Sequence, residues 1–347
     1  MFRVQKGIIR LTSRERVIRA IEFKGPDRVP LLHGVLPAAI LKYGQPLVDL
    51  LNEFKDDFGG NWQVMKPDDI TGPYAEGTFT DEWGVTWHND YHGMLGIPVG
   101  HPLDDWGNWQ TYKLPPNPND DWYAATQKSI EDSSHERYVM LGGLNLFERM
   151  QWIRGYENLL SDIALDAKEA YLLRDAMVEH QIEYLRKAAR LDADGFHFGD
   201  DWGTQVSLII RPETWRKFYK PAYARMFEVC KSAGKHVHFH SDGVTWDIMH
   251  DLNEVGVDVL NIQHSIMDLA AIKREFGGKS AFRSDLDRQH ILPHGTRDEI
   301  RAHVREVFDA LGSWNGGLIG HGEIAVDVPL ENARAMFEAW KEIGAYS

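Results

Sequence analysis

HVHFHSDG, residues 236–243, is one of five short apolar segments that each end in a polar side chain able to bind a metal or move a proton. The other four are GFHFGDD (195–201), VDVLNIQH (257–264), SAFRSDLD (280–287) and GLIGHGEI (317–324), and helical stretches separate all five. Strands that alternate with helices form a parallel sheet, and a (β/α)8 barrel builds its active site at the C-terminal ends of its strands. The pattern therefore predicts an enzyme.

Three further strand candidates complete a set of eight: RVPLLH (28–33), NWQVM (61–65) and YVMLGGL (138–144). Helical stretches lie between most successive pairs, so the sequence predicts an α/β fold, a single (β/α)8 TIM barrel domain over residues 1–347.

Residues 66–137 interrupt this alternation. The segment is rich in Asp, Pro, Gly and Trp, and no helix of barrel type is predicted in it. TFTDEWGVTWHNDYHG (78–93) alternates apolar and polar residues as a twisted hairpin does. We interpret 66–137 as a cap insertion after the second strand, folded over the barrel mouth. The alternative is a peripheral hairpin that serves packing or dimer contacts.

The composition excludes several classes of protein. Lys and Arg number 38 against 52 Asp and Glu, a formal net charge of −14, which repels nucleic-acid backbones in the absence of a concentrated basic patch. The single cysteine excludes an intramolecular disulfide and a cysteine metal cluster, and it fits the reducing cytoplasm. Because no segment has the apolar length that spans a bilayer, no membrane association is expected.

Two pairs of a histidine and an acid end strands of the predicted barrel. His240 and Asp242 stand two residues apart, so an extended strand presents both on one face, and His321 and Glu323 repeat this spacing. Such side chains can share a zinc-type ion or act as a base with its orienting partner. We predict a metal site of His240, Asp242, His321 and Glu323, with His240 and Glu323 also catalytic. The alternative for Glu323 is a carboxylate favoured by the dipole of the following helix.

Paired carboxylates follow the strand GFHF. Asp200 and Asp201 can hold a cation, position a substrate group, or act as an acid if one pKa is raised. Both are predicted to be catalytic, with N-capping of the next turn as the alternative for one of them. His236 and His238, by contrast, are expected to be hydrogen-bonded inside the protein.

Four residues are predicted to bind the substrate. His33, Gln263 and Asp285 end strands of the barrel, and Trp83 lies on the cap, where its ring can pack against a flat organic molecule. The alternatives are a core position for Trp83 and, for Asp285, an ion pair with the arginines that flank it.

Seven segments of this sequence resemble blocks of the uroporphyrinogen decarboxylase superfamily, which includes porphyrinogen decarboxylases and zinc-dependent methyltransferases that work with corrinoid proteins. They are SRERVIRAIEFKGPDRVP (13–30), DEWGVTW (81–87), RGYENLLSD (154–162), FGDDWGTQ (198–205), GKHVHFHSDG (234–243), LDRQHILPHGT (286–296) and DVPLENARAMFEAW (327–340). The resemblance implies a (β/α)8 barrel, in agreement with the strand count.

The chain departs from both branches of the superfamily. In the methyltransferase branch, zinc is held by a His-x-Cys pair and a later Cys. His240 matches that histidine, but Asp242 and Gly322 stand at or beside the cysteine positions. A metal would then be held by imidazole and carboxylate, which suit other divalent ions as well as zinc. The decarboxylase branch has an Arg-rich loop after the first strand, whereas LLHGVLPAAI (31–40) contains no arginine, so uroporphyrinogen would find no bidentate clamp.

The resemblance implies, as the leading hypothesis, a corrinoid-linked methyltransferase or demethylase acting on a small O- or N-methylated compound. A divalent metal, zinc in the first place, would polarise the bond to the methyl group, and Asp200 and Asp201 would orient the substrate or supply a proton. The corrinoid is expected on a separate partner protein, because the chain has no Asp-x-His-x-x-Gly motif. Two alternatives remain open: a decarboxylase or other lyase of a small carboxylic acid, and a catalytically silent binding protein. A homodimer also remains open.

Overall fold

The computed structural model describes residues 11–133 and 136–346, and its strands follow the order that the sequence predicts for a barrel with an insertion. The strands are β1 (Gly34–Val35), β2 (Gly77–Thr80), β3 (Thr86–Asn89), β4 (Ile97–Gly100), β5 (Met140–Gly142), β6 (Gly195–Gly199), β7 (His236–Ser241), β8 (Val259–Ile262), β9 (Ala281–Arg283), β10 (Leu318–Ile319) and β11 (Glu323–Ile324).

Helices separate the barrel strands. They are α1 (Ser13–Ile21), α2 (Pro37–Tyr43), α3 (Gln45–Glu53), α4 (Asp120–Asp132), α5 (Leu146–Arg154), α6 (Tyr156–Ala164), α7 (Lys168–Ala188), α8 (Pro212–Phe218), α9 (Lys220–Ser232), α10 (Met249–Glu254), α11 (Leu269–Phe276), α12 (Ile291–His294), α13 (Arg297–Val307) and α14 (Leu330–Ile343). Within the described residues, none of these helices is long and apolar enough to cross a membrane.

The barrel strands are parallel and follow one another in space as they do in sequence. Strands β5 to β10 form one six-stranded sheet in the order β10-β9-β8-β7-β6-β5, and β11 pairs with β1. The last predicted strand, GLIGHGEI, is thus divided into β10 and β11. The first strand joins the last through an isolated parallel bridge between Leu31 and Gly320 and through the pairing of Gly34 with Glu323.

The second predicted strand is wrong, because NWQVM (61–65) forms no strand. Its Trp62 bonds instead to the side chain of Asn52 on α3, through both its backbone N–H and its carbonyl. The gap between the first strand and β5 is bridged by Asp57, whose N–H donates to the Leu31 carbonyl at 2.8 Å while its carbonyl accepts from the Tyr138 N–H at 3.2 Å.

Buried ion pairs hold Asp57 in this bridging position. Its fully buried carboxylate accepts hydrogen bonds from Arg16 on α1, from Arg28, and from the Leu31 backbone N–H at 2.8 Å. Arg16 also pairs with Asp27 at 2.6 Å. At this point of the ring, the backbone of Asp57, held by these ion pairs, therefore takes the place of a strand.

Helix α1 closes the N-terminal end of the barrel. It begins with the capping box formed by Thr12 and Glu15, which satisfies backbone donors that a helix N-terminus leaves unpaired. Its apolar face places Val17 and Ile21 in a buried cluster with inward side chains of β8, β9 and β10. The opposite, C-terminal end is left as the open end of the barrel.

Alternate side chains of the central strands face the helix layer. Phe198 of β6 packs on Phe227 of α9 with ring centroids 4.8 Å apart, and Phe239 of β7 meets the same ring edge-on. Burial of an aromatic ring of this size is worth about 1.5–3 kcal/mol. Because strand residues alternate between faces, the polar neighbours His197 and His238 face the barrel interior.

The histidines low in the barrel are hydrogen-bonded, as the sequence predicts. The Tyr138 hydroxyl lies 2.9 Å from His236 Nδ1 and 3.0 Å from His238 Nε2. Burial lowers the pKa of both imidazoles, so they are neutral structural groups.

The inserted segment forms a three-stranded antiparallel sheet, β2-β3-β4, which we call the cap sheet. This confirms the predicted hairpin. The prediction that residues 66–137 contain no barrel-type helix is wrong, because Asn119 caps α4, which buries Tyr123. At the cap sheet, the Gly93 carbonyl accepts from Ala38 N–H at 3.2 Å, just after β1. The cap therefore sits on the rim where the C-terminal ends of the barrel strands open.

Candidate functional site

Three side chains converge where β6 and β7 end. His240 Nε2 lies 3.5 Å from Asp201 Oδ1 and 3.5 Å from Asp242 Oδ1, and one ligand atom from each residue lies within 4.8 Å of the others. The three side chains are between 29% and 42% exposed, so solvent reaches them. We call Asp201, His240 and Asp242 the mouth triad.

The imidazole of His240 is fixed by Asn261 of the neighbouring strand β8. Asn261 Nδ2 donates to the Arg283 carbonyl at 3.2 Å, which turns its Oδ1 toward His240 Nδ1 at 2.9 Å. An amide oxygen only accepts, so Nδ1 carries a proton and Nε2 is the ring nitrogen turned toward the two carboxylates. The triad thus contains an imidazole in the tautomer that can bind a metal or accept a proton.

Glycines bring the two carboxylates together. Gly243 has φ +78, and a Cβ on it would lie 2.1 Å from the Gly203 backbone, so the loops after β6 and β7 can touch only without side chains there. Gln263 Oε1 accepts from the Gly243 N–H at 3.0 Å, and Asp201 Oδ1 accepts from the Asp242 N–H at 2.9 Å. Gln263, predicted to bind substrate, lies beneath the triad and holds this turn.

An arginine joins the triad to the last strand. Arg288 Nη2 lies 2.5 Å from Asp242 Oδ2, and its Nη1 lies 3.7 Å from Glu323 Oε1. Glu323 therefore reaches the site through Arg288 and is not one of the three grouped ligands. Asp285 is 4% exposed, and its Oδ2 has no hydrogen-bond partner in the described part of the chain. Burial, with the charges of Asp242 and Glu323, raises the pKa of Asp285 to about 6.

Asp200 turns away from the mouth and supports helix α5. Its carboxylate accepts from the Glu148 N–H at 2.8 Å and from the Tyr223 hydroxyl. Burial raises the pKa of Asp200 well above its usual value. The geometry matches N-capping, with the cap on α5 rather than on the turn that follows Asp200.

Glu148, in the first turn of α5, is a mouth residue that the sequence did not single out. Burial and the charge of Asp201 raise its pKa to about 7, although Asn145 donates a hydrogen bond to its Oε2 at 2.7 Å. From the sequence alone, an acid in a first helical turn indicates a dipole-stabilised position. The one available signal was its place soon after the strand YVMLGGL.

His321 lies deep in the barrel with both ring nitrogens engaged. Nδ1 donates to the Leu32 carbonyl at 3.0 Å, and Nε2 lies 3.3 Å from Arg283 Nη2. Burial and the charge of Arg283 hold the pKa of His321 well below its usual value. It is not part of the mouth triad, although the sequence predicted it as a metal ligand.

Two predicted substrate-binding residues pack against other parts of the protein. His33 is buried, and its ring centroid lies 4.7 Å from that of Phe337 on the outer helix α14. Trp83 is buried in the cap, where the Arg149 guanidinium lies 5.0 Å from its ring centroid. These contacts are those of packing positions, and a substrate role for either residue stays a prediction.

Residues 146–343, more than half of the chain, match the family described as uroporphyrinogen decarboxylase (URO-D). The chain belongs to the uroporphyrinogen decarboxylase family. The uroporphyrinogen decarboxylase of Legionella pneumophila (strain Lens) is 27% identical to it over 198 residues, covering 55% of this chain and 53% of that protein. A uroporphyrinogen decarboxylase of Thermus thermophilus is 30% identical over 176 residues, covering 50% of this chain and 48% of that protein.

The chain spans about half the length of these curated relatives in the matched regions. Similarity to a solved structure extends much further. A methyltransferase from Methanosarcina mazei has a TM-score of 0.68 and 18% identity, covering 96% of this chain and 99% of that one. At this identity the likeness concerns the fold, and it confirms the predicted α/β barrel.

Within this uroporphyrinogen decarboxylase family member, the mouth triad fits a divalent metal ion. Asp242 Oδ1 is buried and has no hydrogen-bond partner among the described residues, and it lies 3.5 Å from the free Nε2 of His240. Ligands around a tetrahedral ion lie about 3.4 Å apart when bonds are about 2.1 Å. The one cysteine, Cys230, is buried in α9. The donor set is therefore nitrogen and oxygen, without thiolate.

Proposed function

We propose that this protein is a corrinoid-linked methyltransferase or demethylase that acts on a small O- or N-methylated compound by metal-assisted methyl transfer. The observation that supports it is the convergence of Asp201, His240 and Asp242 at an open barrel mouth, with His240 Nε2 free. These three residues would hold a divalent ion, in the first place zinc, which when bound polarises the bond between the methyl group and its heteroatom.

The surrounding residues have roles that follow from their contacts. Asn261 keeps His240 in the required tautomer, and Arg288 orients Asp242 by a 2.5 Å ion pair. Burial and the charge of Asp201 raise the pKa of Glu148 to about 7. Glu148 is therefore suited to protonate the heteroatom as the methyl group leaves.

The methyl group would pass, as the equivalent of a cation, to the reduced cobalt of a corrinoid carried by a separate partner protein. In that transfer the heteroatom would lose its bond to the methyl carbon, the corrinoid would accept the methyl group, and Glu148 would supply the proton that the heteroatom takes up. The fold neighbour from Methanosarcina mazei is itself named a methyltransferase, which supports this choice among reactions found in the superfamily.

Formation of methylcobalamin tests the proposal. The zinc-loaded protein is incubated with Co(I) cobalamin and a panel of methoxylated and N-methylated donors, and methylcobalamin is followed by its absorbance. We expect turnover by the wild type, a loss in Asp242→Asn, and wild-type turnover in Asp247→Asn, a change outside the mouth triad. Absence of methylcobalamin across the panel contradicts the proposal.

A decarboxylase or other lyase of a small carboxylic acid is the second candidate. It is favoured by Asp285, because a buried carboxyl with a pKa of about 6 and an unpartnered Oδ2 is a suitable proton donor to a carbanion. Uroporphyrinogen itself is not the expected substrate, since residues 31–40 contain no arginine. Release of carbon dioxide without a methyl acceptor selects this candidate, and binding without turnover selects a silent homologue.

A further inference from the structure

The guanidinium of Arg283 is largely buried in the barrel and has no carboxylate partner. It forms no ion pair with an acid among residues 11–133 and 136–346, unlike Arg288 in the loop that follows β9. Its Nε atom is inaccessible to solvent and makes no hydrogen bond. Within the described chain, its guanidinium has one side-chain contact of hydrogen-bond length, from Nη2 to His321 Nε2 at 3.3 Å. Most of the five N–H donors of this arginine are thus left without a protein acceptor.

Strand geometry places Arg283 at the same level of the barrel as His240, two strands away. Leu260 pairs with Phe282, so the next residue pair, Asn261 and Arg283, lies at the same level, and Asn261 pairs with His240. Phe282 packs outward on α11, so Arg283 faces the interior. Two strand spacings of about 4.8 Å put the Cα atoms of Arg283 and His240 roughly 10 Å apart.

The surroundings give Arg283 no ion-pair partner. Its inward neighbours His197 and His321 are neutral, because burial together with the Arg283 charge lowers the pKa of each. Asp242 and Glu323, which lie nearby, are joined to Arg288 instead, and Asp285, the carboxylate whose charge acts most strongly on Arg283, forms no ion pair with it among the described residues. An uncompensated buried charge is destabilising, and such groups persist where they bind or act on a ligand.

We infer that Arg283 binds a carboxylate of the substrate, so that the substrate is a small methylated carboxylic acid. The statement that the substrate is methylated rests on the proposed methyl transfer. The statement that it is a carboxylic acid rests on Arg283 alone. The planar fork of a guanidinium matches a carboxylate with two parallel hydrogen bonds. With the carboxylate held there, an ether oxygen or amine nitrogen a few bonds away would be directed toward the mouth triad.

Binding of matched charged and uncharged ligands tests this inference. Calorimetry on the zinc-loaded full chain uses methoxyacetate, N,N-dimethylglycine and 4-methoxybenzoate as acids, and 2-methoxyethanol as the uncharged counterpart of methoxyacetate. We expect at least one acid to bind the wild type, and at least about tenfold weaker binding to Arg283→Met, since a charge-assisted bidentate pair is lost. The control Arg274→Met removes the same charge at a side chain that is 67% exposed and should bind as the wild type does.

A stability measurement separates a ligand-binding arginine from a structural one. Without ligand, Arg283→Met should melt at or above the wild-type temperature, because it removes an unpaired buried charge, whereas a structural arginine would lower the melting temperature. If Arg283→Met does not fold, Arg283→Lys keeps the charge without the fork and should still weaken acid binding. Wild-type binding of no acid, or equal binding by the Arg283 variants, overturns the inference.

The two proposals fail in different ways. The binding assay contains no corrinoid, so Arg283-dependent acid binding without methylcobalamin formation removes the methyl transfer and leaves the carboxylate site. Methyl transfer from the acid donors at equal rates in wild type and Arg283→Met removes the carboxylate site and leaves the reaction.

Discussion

Replacement of Asn261 by leucine should weaken metal binding at the mouth triad without removing a ligand. Leucine has nearly the same shape, but it cannot accept from His240 Nδ1, now bonded at 2.9 Å, or donate to the Arg283 carbonyl at 3.2 Å. The imidazole then loses the partner that fixes its tautomer and its ring orientation. All three residues of the mouth triad are unchanged in this variant. The experiment therefore measures how much the orientation of His240 contributes, without removing His240 itself.

The size of the effect follows from the contacts that are lost. Removal of a partner that orients a metal-binding histidine costs roughly 10- to 100-fold in affinity, or about 1.4–2.8 kcal/mol of binding free energy. Because Asn261 is only 2% exposed, its loss also leaves buried polar groups unpaired, at about 1–3 kcal/mol of unfolding free energy for each. Both effects should therefore be measurable in one variant.

Zinc titration calorimetry on chelator-treated protein measures the affinity, and urea unfolding measures the stability. Asn253→Leu is the matched control. Asn253 lies on α10, and its Nδ2 donates to Ser280 Oγ at 2.6 Å, so the same substitution removes a hydrogen bond outside the mouth triad. It should lose stability and keep the wild-type zinc affinity. If Asn261→Leu binds zinc as tightly as the wild type, the argument that Asn261 prepares His240 for a metal is refuted.

Three further predictions concern buried acids. Glu148 keeps its proton to about pH 7 in the folded protein but only to about pH 4.5 when unfolded, so the metal-free wild type loses stability as pH rises through this range. In urea titrations, Glu148→Gln should therefore have a higher free energy of unfolding than the wild type above pH 7, by at most roughly 3 kcal/mol, and the same free energy of unfolding below pH 4. Asp200→Ala should lose about 2 kcal/mol because the α5 cap and the Tyr223 hydroxyl lose their acceptor, whereas Asp200→Asn should lose less in thermal melts. Asp57→Ala leaves Arg16 buried beside an empty position and should lower the free energy of unfolding by about 3–5 kcal/mol. A loss below about 1 kcal/mol in denaturant unfolding would show that the ion pairs do not hold the strands of the barrel together.

The alternation of strands and helices was predictable because apolar strand segments and amphipathic helices leave local periodic signals. The second barrel position left none. It is filled by the backbone of Asp57, which is held by Arg16 and Arg28 from other parts of the chain. NWQVM has the composition of a strand, but its Trp62 found partners on Asn52 of α3. A barrel position that is filled by a single residue, held through ion pairs with distant parts of the chain, leaves no periodic pattern in the sequence.

Part of the site was likewise local and part was not. His240 and Asp242 follow from the two-residue spacing of one strand, and both belong to the mouth triad with Asp201. Glu148 was missed, because its neighbour Asp201 lies on a different element. Asn261 had one signal, a polar residue within the apolar run VDVLNIQH.

His321 shows how packing separates two similar local patterns. It has the same spacing from an acid as His240, yet its nitrogens contact Leu32 and Arg283. Identical local patterns thus reached different environments, and only the packing of separate strands distinguishes them.

The way the cap sheet is attached has a consequence for how this architecture diversifies. The cap is one continuous insertion in the chain. Its Tyr74 lies near the mouth, where burial and the charges of Glu148 and Glu323 raise the pKa of the hydroxyl. The mouth triad, in contrast, is anchored on β6 and β7. Mutations in the insertion can alter which molecules enter the mouth, while the strands keep the distances between the triad side chains unchanged. Recruitment of new compounds and retention of the old reactivity can therefore evolve on separate parts of one gene.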